Sequence, residues 1–297
     1  MLDSDSFPLD LLRLVLLDSR YDRTPIRSMQ QIGGQEYSVA VRVETEEGVY
    51  FAKWLSPHLP PLFGAEVEGL ILLNQADCGL LIPQVFGLAE GDEGMVLLLE
   101  WLETTPVTEQ NAATLGAGLA RLHRYISLEH YGLQHDNYVG STLQINDWYE
   151  DWPTFFAENR LCIMAEWLML AERWPTHRAR LLDRLLKRLP ELLAHDPAPS
   201  LLHGDLWQGN WLALPNGQAA LIDPSPYFGD RETDLAMTRL FGGFPPAFYD
   251  AYEAEWPLEA EAAERMPIYN LYHLMNHLLL FGEQYEASVD RILKRYA

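Results

Sequence analysis

Between Tyr37 and Val43, and again between Val49 and Trp54, β-branched and aromatic residues flank the polar turn Glu46-Glu47-Gly48, a pattern that predicts a hairpin. Pro60 and Pro61 then precede a helical spacing that includes Ala65, Leu70, Leu72 and Leu73. Two more strands are expected at Val85 to Leu88 and Met95 to Leu99, around Gly91-Asp92-Glu93-Gly94. Past Pro106 the pattern turns helical, over Ala112 to Tyr125, Pro153 to Trp174, Arg178 to Leu193 and Leu258 to Phe281. The apolar spacing near the N-terminus predicts a short amphipathic helix on the strand-rich part. The pattern therefore predicts an α+β, two-lobed molecule: residues 1–103 a small sheet lobe with one main helix, residues 104–297 a larger helical lobe. The boundary falls at Leu102 to Thr108.

Composition narrows the function. The chain has 297 residues, 48% hydrophobic and 22% charged, with a formal net charge of −22. Such acidity argues against nucleic acid as a partner, because that binding rests on basic residues neutralising phosphates. Cys78 and Cys162 lie in apolar stretches, which points to core packing in a reducing compartment rather than a disulfide or zinc framework. The first residues lack a basic leading region, and Asp10 and Arg13 interrupt the apolar run, unlike a signal peptide. No stretch is long enough to span a bilayer, so no membrane role and a cytoplasmic location are expected. Nothing in the sequence fixes the oligomeric state, and a monomer is compatible with it.

The chemistry concentrates in His203-Gly204-Asp205-Leu206-Trp207-Gln208-Gly209-Asn210, which contains Asp-x4-Asn. A strand-like segment follows, Trp211 to Leu214, and Asp223 ends the apolar run Ala219 to Ile222, thirteen residues after Asn210. This is the catalytic-loop and metal-aspartate order of protein-kinase-like phosphotransferases. In that reading Asp205 orients the acceptor hydroxyl and takes its proton, while Asn210 and Asp223 offer oxygen ligands to Mg²⁺ on ATP. Lys53, a charge inside the apolar strand Tyr50 to Trp54, would reach the phosphates and pair with Glu66; Glu68, in the same helical turn, is the other choice. Gly33 and Gly34, in Ile32 to Gln35 between strands, are the candidate phosphate-covering loop. Glu100, Trp101 and Leu102 are the candidate hinge, whose backbone would bind adenine.

Two absences point to a small acceptor. Gly204 stands where regulated protein kinases carry an arginine, and helical sequence resumes near Thr233, leaving no room for a long activation loop. Trp207, Asp136, Asn137 and Tyr138 are the candidate acceptor contacts. Trp148 and Trp152 read as packing residues, and His273 and His277, four apart, as structural rather than metal-binding. Asp234 reads as an anchor for the catalytic loop.

The loop His203 to Asn210 resembles that of the fructosamine (ketosamine) kinases, with Trp207 and Gly209 setting it apart from aminoglycoside and choline kinases. The likeness extends through Leu119 to Arg124, Asp136 to Gly140, Asp151-Trp152, Phe155-Phe156, Arg160-Leu161, Gly229 to Met237, Leu240 to Phe244 and Tyr269 to His277, covering about Gly33 to Tyr285. The resemblance implies phosphorylation of the sugar 3-hydroxyl of free or protein-linked ketosamines, with ribulosamines favoured, in a deglycating repair. It departs at Gly33-Gly34-Gln35-Glu36-Tyr37, where the family has Asp or Ser, then Ile-Asn, after the glycines. The alternatives are another small-molecule kinase, of aminoglycoside or choline type, or a catalytically inactive nucleotide-binding protein.

Overall fold

The structure, a computed structural model, describes residues 7–35, 38–60, 62–128 and 130–297. The departure at Glu36 and Tyr37 and the proline at 61 lie outside the described residues.

Helix α1 (Leu9–Arg20) precedes a five-stranded antiparallel sheet ordered β1-β2-β3-β5-β4. Its strands are β1 (Ser28–Gln35), β2 (Ser38–Glu44), β3 (Val49–Leu55), β4 (Val85–Gly91) and β5 (Gly94–Glu100); α2 (Leu62–Gln75) connects β3 to β4. Strand periodicity sorts the side chains between two faces. Val39, Val41, Val43, Tyr50, Ala52, Val96 and Leu98 bury against Leu11, Leu12, Val15 and Leu16 of α1. Leu55, Leu97 and Leu99 bury against Phe63 and Leu70 of α2. Lys53, two residues from Leu55, therefore projects on the α2 face. The sequence reading placed Gly33 and Gly34 in a loop between strands; they lie instead within β1, opposite Ala40 and Val39. Glutamines and glycines give this edge strand no apolar alternation to read.

The remainder is largely helical: α3 (Glu109–His123), α4 (Trp152–Phe156), a π-helical stretch Ala157–Cys162, α5 (Ile163–Leu170), α6 (Thr176–Leu192), α7 (Glu232–Leu240), α8 (Pro246–Glu255), α9 (Ala262–Phe281) and α10 (Glu286–Tyr296). Three two-stranded ribbons interrupt it. They pair β6 (Asn137–Val139) with β7 (Thr142–Gln144), β8 (Ser200–Leu202) with β11 (Tyr227–Gly229), and β9 (Trp211–Ala213) with β10 (Ala219–Leu221). α3 starts with a capping box in which Thr108 and Asn111 satisfy each other's backbone N–H groups. A large core joins α3 through α10, with Trp152, Phe155, Phe156, Phe248 and Tyr269 among its fully buried members. Among the described residues no helix is long and apolar enough to cross a membrane.

Candidate active site

Lys53 Nζ donates to Glu66 Oε1 at 2.8 Å and to Asp223 Oδ1 at 2.5 Å. Residues two apart on a helix point roughly 200° apart, so only one of Glu66 and Glu68 can face the sheet. Glu66 does, while Glu68 is exposed and meets His135 Nδ1 at 3.2 Å. Burial works against the Lys53 ammonium, but Asp223 and Glu66 outweigh it and hold its pKa above the ordinary lysine value. Burial raises the Glu66 carboxyl to about 7, with Lys53 opposing the rise and Asp223 adding to it. One ammonium thus faces two carboxylates, and the surplus negative charge and oxygen donors suit a hard divalent cation. Asp223 supplies a side chain 44% exposed and a backbone φ of 53°, the left-handed region that asparagine and aspartate tolerate best among non-glycine residues.

The loop carrying Asp205 is held from beneath. Asp234, buried at the start of α7, accepts from the N–H groups of His203 (2.7 Å) and Gly204 (2.9 Å), and its Oδ2 meets His123 Nε2 at 3.1 Å. Burial alone would raise the Asp234 carboxyl; these bonds and the two histidines reverse the direction and keep it low. His123 Nδ1 meets Tyr252 OH at 2.8 Å, extending the support to α8. His203 is buried, which lowers its pKa and keeps the ring neutral. Nδ1 accepts from Asp205 N–H at 3.3 Å and Nε2 donates to Ile222 O at 2.9 Å, tying the loop to the residue before Asp223. Gly204 has a φ of 83°, and a Cβ built there would lie 1.9 Å from Ser225 O. The residue that replaces arginine in this loop is therefore one that geometry requires.

Asn210 Nδ2 donates to Asp205 O (2.8 Å) and Oδ2 (3.1 Å), leaving Oδ1 as the amide's ligand atom. Burial pushes the Asp205 carboxyl up to about 7, against the Asn210 bond, with Asp223 and Asp234 adding like-charge repulsion. Trp207 is 43% exposed, and its indole lies over Gly209, where a Cβ would fall 2.3 Å from the ring. Leu206, between Asp205 and Trp207, is fully buried and pins the loop to the core.

A cavity of about 330 Å³ opens between the sheet and the helical part. Glu100, Trp101 and Leu102 line it together with Glu66 and Asp223, and Ile32, Phe51, Leu70, Leu99, Leu212 and Ile222 supply apolar walls. The β1 contribution is Ile32; Gly33 and Gly34 are not among the lining residues. Sequence reasoning passed over Leu212 and Ile222. Leu212 lies two residues after Asn210 and Ile222 immediately before Asp223, and each alternates out of the buried set formed by Trp211, Ala213 and Leu221.

The acceptor contacts divide. Asn137 is buried, and its amide makes three hydrogen bonds within the protein: Nδ2 donates to Pro226 O at 2.7 Å, and Oδ1 accepts from Gln144 (2.7 Å) and Asn146 (3.1 Å). Its burial and these bonds point to a structural role, whereas the sequence reading made it an acceptor contact. Asp136 is exposed, its Oδ1 accepts from Asn146 N–H at 2.8 Å, and it lines a separate cavity of about 110 Å³ with Glu68 and His135 rather than the cleft. Tyr138 is half-buried on β6. Trp148 stacks on Phe228 and Trp152 is wholly buried. His277 Nδ1 bonds to His273 O at 2.7 Å.

Comparison with known proteins agrees with this geometry. A protein of Lactiplantibacillus plantarum designated a probable ketoamine kinase is 38% identical over 275 residues, spanning 92% of this chain and 95% of its own. The crystal structure of a candidate fructosamine-3-kinase from Haemophilus somnus superposes with a TM-score of 0.86 at 27% identity, covering 97% of each chain. An aminoglycoside phosphotransferase bound to AMP-PNP and hygromycin B matches at a TM-score of 0.67 and 16% identity, covering 95% of this chain and 98% of its own, and so shares the fold alone. That fold is protein-kinase-like, an N-terminal antiparallel sheet joined to a larger helical part. The family model for fructosamine kinases matches residues 13–297, and the chain belongs to this family of phosphotransferases.

Proposed function

We propose that the protein phosphorylates the sugar 3-hydroxyl of ketosamines with ATP, ribulosamines ahead of fructosamines, so that the modified amine is released in a deglycating repair. The observation that carries this reading is the convergence of Lys53, Glu66 and Asp223 on one cleft, with Asp205 bonded to Asn210 in the catalytic loop. The cleft's size, its apolar walls and the backbone of Glu100 to Leu102 suit an adenine. Lys53 is the residue for the phosphates, and Glu66 keeps it aimed. Asn210 Oδ1 and Asp223 would hold Mg²⁺, which when bound neutralises charge on the phosphates. Asp205 orients the acceptor hydroxyl and takes its proton, and a carboxyl titrating near 7 is matched to that task. Trp207 offers a flat apolar surface for the carbon face of the sugar, with Tyr138 as a second candidate contact.

The test is ATP consumption over ribulosamine, erythrulosamine, fructosamine, aminoglycoside and choline acceptors, with phosphate placement read by NMR. The highest kcat/KM is expected on ribulosamines. Turnover of an aminoglycoside or choline with none on any ketosamine would leave only the kinase chemistry standing, and ATP binding without turnover on the whole panel would favour an inactive protein.

A further inference from the structure

Helix α2 is fastened to both parts of the molecule. Phe63 and Leu70 join the core under the sheet, whereas Leu73, with Cys78 and Leu80 just past the helix end, joins the core of the helical part. Leu81 then forms a parallel bridge to Ala220 on β10: Leu81 N–H donates to Ala219 O and Leu221 N–H to Leu81 O, both at 3.0 Å. Arg121 Nε of α3 donates to Cys78 O at 2.8 Å. The helix that brings Glu66 is thereby registered to the strand that leads into Asp223.

The tightest point of this register is Gly69. It is buried, and a Cβ built on it would lie 3.0 Å from Cδ of Pro226 and 3.1 Å from Cγ of Pro224. Both rings are closed onto the backbone and cannot swing aside as a flexible side chain would. Gly69 stands three residues from Glu66, and Pro224 and Pro226 stand one and three from Asp223. The depth to which α2 settles on this proline segment therefore sets the spacing of the two carboxylates that share Lys53 Nζ. We infer that Gly69 is a positioning residue for phosphoryl transfer: lacking a side chain, it lets α2 lie close enough for Glu66 and Asp223 to hold Lys53 together. The inference rests on the phosphotransfer reading of the cleft.

The same helix supplies its own control. A Cβ on Gly64 would meet nothing within 4 Å. Alanine gains helix propensity at 69, in the helix interior, at least as much as at 64, in the first turn, so any loss specific to Gly69→Ala reports the proline contact. The experiment compares Gly64→Ala, Gly69→Ala, Pro226→Ala and Gly69→Ala/Pro226→Ala in the full chain. It measures kcat and acceptor KM on a ribulosamine, melting temperature, and labelling of Lys53 by an acyl-phosphate ATP probe read by mass spectrometry. Gly69→Ala is expected to lower kcat by about tenfold or more, since sub-ångström misplacement is costly in a reacting site, with acceptor KM within about twofold and reduced Lys53 labelling. Gly64→Ala is expected to match wild type. In the Pro226→Ala background the effect of Gly69→Ala should shrink to about threefold or less. Equal turnover and labelling in the two alanine variants, no relief in the Pro226→Ala background, or a melting temperature lowered in proportion to the lost activity would each overturn the inference. A wild-type protein inert on every ketosamine would count against the acceptor reading instead, and the labelling comparison would still decide the role of Gly69.

Discussion

A lysine inside an apolar strand and an acid at the end of another are costly placements, and both were visible in the sequence for that reason. Lys53 and Asp223 lie 170 residues apart, yet the structure brings them to 2.5 Å. What the sequence could not separate was Glu66 from Glu68, because the choice depends on where the helix meets the sheet. The geometry gives the two glutamates different surroundings and hence different mutational costs. Glu66→Gln should lower kcat by about tenfold to a hundredfold, since Lys53 loses its buried partner, whereas Glu68→Gln should change it by less than about twofold. Steady-state kinetics at saturating acceptor measures both, and similar losses would show that pairing with Lys53 is not what Glu66 contributes. Asn137 marks the opposite limit of legibility. A polar residue in a motif reads as a contact until burial and three hydrogen bonds show how much of its amide the fold itself uses.

At the scale of elements, the periodic helices and the short apolar strands were legible in the sequence, and the elements with little apolar repetition were not. α8 buries only Phe248 and Tyr252, which is too little repetition to announce a helix. β1 has its polar residues and glycines on an edge, where pairing with β2 rather than side-chain burial makes the strand. The π-helical turns Ala157–Cys162 shift the phase of an otherwise regular pattern between α4 and α5. The catalytic loop is the best-determined short element, since His203, Gly204 and Asp205 each have a backbone N–H bonded to a named side chain. Gly204→Ala should therefore unseat it. The new Cβ meets Ser225 O and must also adopt a φ of 83°, so the melting temperature should fall by several degrees and turnover should be lost together. Gly242→Ala is the comparison: φ is 72° there but the space is open, so only the smaller conformational cost of about 1 kcal/mol applies. Calorimetry on the pair separates steric from conformational cost, and equal melting shifts would deny that the Ser225 contact matters.

For the molecule as a whole, histidines buried without charge weaken the fold in acid, while the raised Asp205 and Glu66 carboxyls act the other way. Burial lowers the His273 pKa to about 3, with His277 adding to the effect and Asp234 opposing it. In the unfolded chain the same ring titrates near 6.5. Between those values the unfolded state binds the extra proton, so stability rises with pH across this window. The contribution is complete above about 6.5 and is lost as pH falls toward 3, to a limit on the order of 5 kcal/mol. His203, also lowered, acts in the same direction. His273→Phe should flatten the fall in melting temperature between pH 7.5 and 5. If the variant and wild type trace parallel curves, His273 is not the proton acceptor that limits the fold in acid.

The fastening of α2 bears on how the chain can be divided. A cut after residue 103, where strands give way to helices, would separate Leu73, Cys78 and Leu80 from the core they fill and leave Leu81 without its bridge to Ala220. Each severed piece would expose apolar surface that only the other can cover, a recipe for aggregation rather than for two independent modules. Fragments 1–103 and 104–297 made separately should be insoluble or molten, while co-expression should recover a folded, active pair. Melting of the intact chain should be a single transition; two resolved transitions, or a well-folded isolated fragment, would show that the halves are self-sufficient. The protein is then a poor donor for lobe exchange with other phosphotransferases, because the natural seam runs through a helix's packing and not through its linker.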